Sequence, residues 1–351
     1  MVKIISLFNH KGGVSKTTTT FNLGWSIALQ GKKVLIVDAD PQSNLTSLAL
    51  SIPNEEAFEN LYLRKDSNDI KSLVDHINSP AGMIIESSQS VSNIVKTSNP
   101  NLYILPGNLQ IDEFSATITT ALQLGNTTAF RAMRNIPVYL NFALRRIAEI
   151  HSIDYIIIDM APSLSGLNEV LLMGSDYFIS PCAPDFFSLI AIRNIAKIIP
   201  NWYEQIKSYQ SDYPLACNPK FIGIIEQNYR PRRTNAEDNK NKPVKGFREW
   251  IDKIRVAANT ELVPSLREKG LVVSEEKFKS AVKDLQPYDL AFISDFNSLI
   301  AFSQKCNKPV FELTQDDINR SGEVLRVMLD NVQKFKDSFN ALAGNIIRLT
   351  E

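Results

Sequence analysis

Asn9–Thr18 reads NHKGGVSKTT and sets two lysines, Lys11 and Lys16, on either side of a pair of glycines. These residue types suit the capture of phosphate. Backbone N–H groups in a tight turn form an anion-binding concavity, and a helix N-terminus behind them adds the positive end of its dipole. Gly12 and Gly13 permit the turn. A lysine then reaches the terminal phosphates, and a neighbouring hydroxyl ligates Mg2+. Lys16 is placed for the β- and γ-phosphates, Thr17 for the metal and Thr18 for the α-phosphate, with Val14 and Ser15 completing the cradle. The run departs from the usual G-x-x-x-x-G-K-[ST], because the two glycine positions hold His10 and Ser15. It also leaves Lys11 with no task in a single ordinary site.

Such a loop needs a strand before it and a helix after it. Lys3–Phe8 (KIISLF) reads as a short buried strand, and Thr17–Gln30 as a helix with Gly31 as the cap beyond its end. Further apolar runs stand at Lys33–Val37, Tyr155–Ile158, Tyr177–Ser180, Phe221–Ile225 and Leu290–Ile293. Continuous β-branched and aromatic runs that alternate with helix-length segments predict an α/β fold, a mostly parallel sheet with helices on both faces. Ligands of such sheets bind off the carboxyl ends of the strands. The chemically interesting residues fall there: Lys11 and Lys16 after the first run, Asp38 and Asp40 after the second, then Asp159 and Asn228.

Lysine plus arginine is 38 and aspartate plus glutamate is 38, so any argument for nucleic acid or membrane has to come from local charge. Cys182, Cys217 and Cys306 are odd in number and widely spaced. They suggest neither a disulfide framework nor a zinc site, and a reducing compartment fits them. No apolar run approaches the roughly 20 residues of a membrane span, and Ile4–Phe8 is too short for a signal peptide. The chain reads as one domain over 1–351, with insertions at about 51–100, 110–135 and 229–285 and a long helix at about 321–349. Tyr229–Lys283 is the most distinctive of these, with 14 Lys/Arg against 8 Asp/Glu, so the rest of the chain is acidic.

The loop does fit the deviant form K-G-G-x-x-K-[ST], with Lys11 as the signature lysine. On this loop, on Val37–Thr46 (VDADPQSNLT) and on Tyr155–Leu167 (YIIIDMAPSLSGL), the chain resembles the ParA/MinD superfamily of P-loop ATPases, and within it the ParA partition proteins. The likeness covers Met1–Leu50, Asn101–Pro106, Ile153–Arg232 and roughly Asp289–Leu313. It implies a P-loop NTPase fold with helical insertions, slow ATP hydrolysis, and ATP with Mg2+ as cofactors. It also implies an ATP-dependent homodimer that sandwiches two nucleotides, in which Lys11 touches the phosphates bound by the other subunit. Lys11, Lys16 and Asp40 form the implied catalytic set. Asp38 would hold the loop and the Mg2+ shell, and Asp40 would position, or deprotonate, the attacking water. Pro41 would stiffen that switch, and Asp159 would bind Mg2+ through water. The family often has two prolines where this chain has Ala161 and a single Pro162, a departure at the second switch. By position, Asn228 would hydrogen-bond adenine, with Ser294 and Asp295 on the other side of the base.

ParA-like proteins commonly bind nonspecific DNA as ATP dimers, and a ParB-like or other activator stimulates hydrolysis. The resemblance therefore implies a cytoplasmic, nucleoid-associated protein that positions or segregates a cargo such as a plasmid or chromosome. The basic candidates for DNA contact are Arg230, Arg232 and Arg233, a compact cluster, and Lys277, Lys279 and Lys283, spaced to share a helical face. Because the chain opens on the first strand, no N-terminal helix-turn-helix is expected. One alternative is a MinD-like membrane-associated positioning ATPase, although the neutral Ser321–Glu351 lacks the basic polar face a membrane helix wants. Another is an ATP-dependent small-molecule ligase or synthetase, which needs a substrate pocket. Iron–sulfur relatives need paired cysteine ligands, and the three here are dispersed.

Overall fold

The computed structural model describes residues 1–52, 56, 57, 59, 69–75, 94–124, 136–207, 209, 218–231 and 243–351. Its centre is built from the isoleucine- and valine-rich runs. β1 (Lys3–Leu7), β2 (Val34–Ala39), β3 (Val95–Lys96), β4 (Leu102–Leu105), β5 (Tyr155–Met160), β6 (Tyr177–Cys182), β7 (Lys220–Tyr229) and β8 (Asp289–Ser294) form one sheet. The strand order is β3-β4-β2-β5-β1-β6-β7-β8. Among the described residues every strand pairing in this sheet is parallel except β3 with β4. β2 and β5 are buried at every position, as strands covered on both faces must be. The expected α/β sheet is therefore present. β3 and β4 are not among the expected strands. At two and four residues they are too short for periodicity to register.

The helices are, in chain order, α1 (Lys16–Leu29), α2 (Asn44–Ala49), α3 (Ile70–Asp75), α4 (Ile111–Leu124), α5 (Ile136–His151), α6 (Gly166–Met173) and α7 (Phe186–Lys207). Then follow α8 (Lys245–Ala257), α9 (Val263–Glu268), α10 (Glu275–Ala281), α11 (Leu299–Cys306), α12 (Gln315–Ile318) and α13 (Gly322–Thr350). One π-helical turn, Ala258–Leu262, joins α8 to α9.

α1 carries the loop and is almost wholly buried. It ends as expected: Gly31 takes φ +83° and donates its N–H to the Ala28 carbonyl at 3.1 Å. Gly24 lets the helix lie close on the sheet, since a Cβ there would stand 2.7 Å from Ile36 Cγ2. Ile36 is fully buried in β2 and β-branched, so it has little freedom to move aside. Gly24→Ala is therefore expected to cost about 1–3 kcal/mol of stability. Thermal unfolding measures it, and an unaltered midpoint would contradict the close packing.

The expected terminal helix forms as α13, whose apolar stripe closes the core. Phe335 lies 4.9 Å from Phe296 and Phe339 5.7 Å from Phe311, ring centre to ring centre. Ser26 of α1 donates to Asn340 Oδ1 at 2.9 Å, and the hydroxyls of Tyr155 and Thr350 are 3.0 Å apart. No helix among the described residues is long and apolar enough to cross a membrane.

The basic stretch after β7 is also tied into the core. Ile251, Ile254, Leu262 and Leu266 are buried. Arg255 bridges Asp252 at 2.9 Å and the buried Asp289 at 2.8 Å. The expected three-lysine face is corrected here. α10 ends at Ala281 and Val282 is extended, so Lys283 leaves the helix that carries Lys277 and Lys279. Lys279 is itself paired with Glu275 at 2.6 Å. Arg232, Arg233 and Cys217 lie outside the described residues, as does much of 51–100.

Candidate nucleotide-binding site

Parallel register brings the chemistry together. Leu7 at the end of β1 and Asp38 at the end of β2 both pair with Asp159 at the end of β5. The loop therefore leaves the sheet beside two strand-end carboxylates. Asn9 anchors it: the buried side chain donates to the Pro181 carbonyl at 2.8 Å and accepts the Lys11 N–H at 2.9 Å. Gly13 takes φ +74° with open space beside it. Ser15 is also left-handed, at φ 54°, a conformation costing about 1–2 kcal/mol for a residue with a Cβ. Its hydroxyl donates to Asn228 Oδ1 at 2.9 Å. One turn along, the Thr19 hydroxyl donates to Gln227 Oε1 at 2.7 Å. The end of β7 thus braces both loop and helix.

Lys16 is buried, and its ammonium donates to the carbonyls of Asn9 at 3.0 Å and Lys11 at 3.3 Å. Burial pulls its pKa down, while Asp159 and Asp40 oppose that pull. Asp159 is buried with neither carboxylate oxygen hydrogen-bonded. Burial first, and then the neighbouring Asp38 charge, raise it to about 8, with Thr17 and Lys16 acting the other way. Asp38 is raised to about 6 by burial. Unlike Asp159 it is fully engaged. One oxygen accepts the Thr46 N–H at 2.8 Å and the Thr46 hydroxyl at 2.7 Å, so Asp38 clamps α2 to the sheet. Asp40 accepts the Gln42 N–H at 3.0 Å, closing the turn that faces the loop.

Lys16 and Asp40 border a cleft of about 690 Å³ lined by Gly12 to Thr18, Asp40, Gln42, Asn44, Ser47, Leu48, Pro162 and Gln304, while Asp38 and Asp159 stand behind this lining. Among the described residues, no three His, Cys, Asp or Glu side chains gather into a metal cage. The orphaned Asp159 carboxylate near the Thr17 hydroxyl nevertheless offers hard oxygen donors. That set fits a Mg2+ ion which keeps phosphate and water as most of its shell.

Several expected residues stand elsewhere. Asn228 touches the loop, donating to the Gly13 carbonyl at 3.3 Å, but does not line the cleft. Asp295 accepts the Asn297 N–H at 2.9 Å just past β8, and neither it nor Ser294 lines the cleft. Arg230 is exposed at the end of β7. Lys11 does not line the cleft either: its ammonium pairs with Asp185 Oδ2 and stands 3.3 Å from Ser188 Oγ. Burial lifts the Asp185 carboxyl, but Lys11 and the Ser188 N–H outweigh it and hold the group below its ordinary range. Asp185, Ser188, Thr46 and Gln304 escaped the reading of the sequence. Thr46 was at least visible in VDADPQSNLT, whereas the other three carry no local pattern.

The second switch is braced by Asn168, which donates to the carbonyls of Ala161 at 2.9 Å and Ser163 at 2.8 Å. Beside it Glu169 is buried, with one oxygen unpartnered, and burial raises its pKa to about 7. A carboxyl raised on folding contributes stability that is full below its unfolded pKa and is lost as pH rises through the folded value. Glu169→Gln is thus expected to be the more stable protein at pH 8, by roughly 2 kcal/mol, with the advantage gone by pH 4. Unfolding midpoints of both proteins across that range measure it, and parallel profiles would contradict it.

A parallel sheet, a loop with a buried lysine ahead of a helix, and carboxylates at adjoining strand ends define a P-loop nucleotide-binding protein. Residues 2–210 match the model of the AAA_31 family, described as an AAA domain. The chain belongs to this family, among the P-loop ATPases of the ParA/MinD type. An uncharacterized protein of Methanocaldococcus jannaschii is 30% identical over 64% of this chain and 73% of its own length. The sporulation initiation inhibitor protein Soj of Bacillus subtilis is 29% identical over 57% of this chain. The match spans 65% of Soj, a little under two thirds of its length. The solved structure of apo McdA from Cyanothece superposes with a TM-score of 0.59 at 17% identity, over 95% of this chain and 99% of McdA. An ATP complex of a McdA variant has the same fold.

Proposed function

We propose that this chain is an ATP-driven association switch of the ParA kind. It binds Mg·ATP in the cleft, dimerises around two nucleotides, binds DNA without sequence preference as the dimer, and is released by slow, partner-stimulated hydrolysis. The observation that carries this reading is the division of labour between the two lysines. Lys16 is buried and lines the cleft, whereas Lys11 is not among the lining residues and pairs with Asp185. The loop backbone and Lys16 bind the phosphates, and Thr17 and Asp159 hold the metal, which neutralises phosphate charge when bound. Asp40 orients the water, and Lys11 serves the opposite subunit. Two Mg·ATP complexes at one interface still carry net negative charge, and one lysine from each partner offsets it. Loss of the γ-phosphate weakens that bridge, so the nucleotide times association.

Apolar surface beside the loop supports a protein face there. Phe186 and Phe187, directly after Asp185, are 52% and 68% exposed, and Leu164, two residues past Pro162, is 52% exposed. Exposed aromatic side chains of this size suit an interface core.

The reading is tested by binding to random-sequence duplex DNA with no nucleotide, with ADP and with ATP, at low and moderate salt. Binding with ATP alone that weakens with salt is expected, because phosphate neutralisation releases counterions. No binding in any state, with dimerisation intact, would transfer the switch to another surface or substrate.

A further inference from the structure

Lys11 is fixed at its backbone, while its side chain is held by contacts of the ammonium alone. Its N–H donates to Asn9 Oδ1 at 2.9 Å, and its carbonyl accepts from Lys16 Nζ at 3.3 Å. The side chain runs to the first turn of α7, where the ammonium meets Asp185 Oδ2 and Ser188 Oγ. That is a poor place for a cation in itself. A helix N-terminus carries partial positive charge, and α7 is 22 residues long. The attraction therefore comes from the Asp185 carboxylate.

Asp185 divides its work between two oxygens. Oδ1 accepts the Ser188 N–H at 2.9 Å and caps α7, while Oδ2 takes Lys11. The pair is accessible: the Lys11 side chain is 19% exposed and that of Asp185 44%. It can open without leaving a deeply buried charge uncompensated. Partly exposed ion pairs are weak, so a triphosphate bearing several charges can displace the carboxylate.

We infer that Asp185 is a latch on Lys11, a positioning residue that holds the ammonium against its own chain until phosphate presented by a second subunit competes for it. The inference rests on the nucleotide-sandwich reading above. The step is an exchange of ion pairs, with carboxylate replaced by phosphate and no covalent bond made or broken. It gives association a threshold. A γ-phosphate supplies the charge that opens the latch, and after its loss Asp185 recaptures the lysine.

Asp185→Asn isolates the charge, because asparagine caps a helix as well as aspartate does. Dimer dissociation constants with a non-hydrolysable ATP analogue are measured by sedimentation for the wild type and D185N. The variant is expected to dimerise about fivefold more tightly per latch released, up to about 25-fold for a symmetric dimer. Nucleotide-free Lys11 should also react faster with an amine-labelling reagent in D185N, read by mass spectrometry. A wild type that dimerises with ATP beside a D185N that dimerises equally or less well overturns the latch. Should neither protein dimerise with ATP, the sandwich reading fails, and the latch as an exchange with the partner's phosphate fails with it. The labelling then separates the two claims: faster reaction in D185N still identifies Asp185 as what holds Lys11, and equal reaction removes the ion pair itself.

Discussion

Lys11→Ala is expected to keep ATP binding and lose ATP-dependent dimerisation. The ammonium points out of its own cleft to α7, so the loop backbone, Lys16 and Thr17 all remain in place for the nucleotide. The loss falls on the interface. Truncating one partner of a desolvated charge pair typically costs about 2–5 kcal/mol, and a symmetric dimer loses two such contacts. The dimer constant should weaken by more than about 100-fold. Sedimentation with and without a non-hydrolysable analogue measures it, with nucleotide affinity followed separately. An unchanged dimer mass in ATP would exclude the trans role of Lys11. The contrast with D185N is informative because the two substitutions act on one ion pair and are expected to move dimerisation in opposite directions.

Asp40→Ala is expected to bind ATP and dimerise but to stop turning over. Asp40 lines the cleft opposite the loop, and its carboxylate is oriented by the turn it closes onto the Gln42 N–H. Phosphoryl transfer depends mainly on positioning and charge, so its contribution is to orient the attacking water. Groups of this kind contribute about 10²–10⁴-fold, and a fall in kcat of at least about 100-fold is expected. Asp38 is a poor substitute, since its oxygens are engaged by Thr46 and the Asp40 N–H. Phosphate release at the wild-type rate by Asp40→Ala would remove it from the mechanism.

Much of this protein was determined by local sequence. Six of the eight strands among the described residues announce themselves as buried runs, because a strand covered on both faces has no reason to alternate polar with apolar residues. The loop is legible because phosphate binding needs glycine, lysine and a hydroxyl at fixed spacing ahead of a helix. The carboxylates are legible because they end strands. Gly31 and the stripe of α13 follow from capping and from the helical period.

The tertiary structure alone decided how those residues are used. Asp38 and Asp159 look equivalent in sequence, each ending an apolar run. In the fold one is consumed by Thr46 and the other is left without a hydrogen bond. Lys11 and Lys16 flank the same two glycines, yet one turns inward and one outward. What turns Lys11 outward is Asp185, 174 positions away. The end of β7 reaches Ser15 and Thr19 across more than 200 positions. Asn307 bonds three carbonyls, those of Ser47, Leu48 and Leu50, at the end of α2. Spacing rules describe neighbours along a helix or a strand. These partners are brought together by the order of strands in the sheet, and in a parallel sheet adjacent strands are joined by long crossovers, so the decisive contacts carry no local signature.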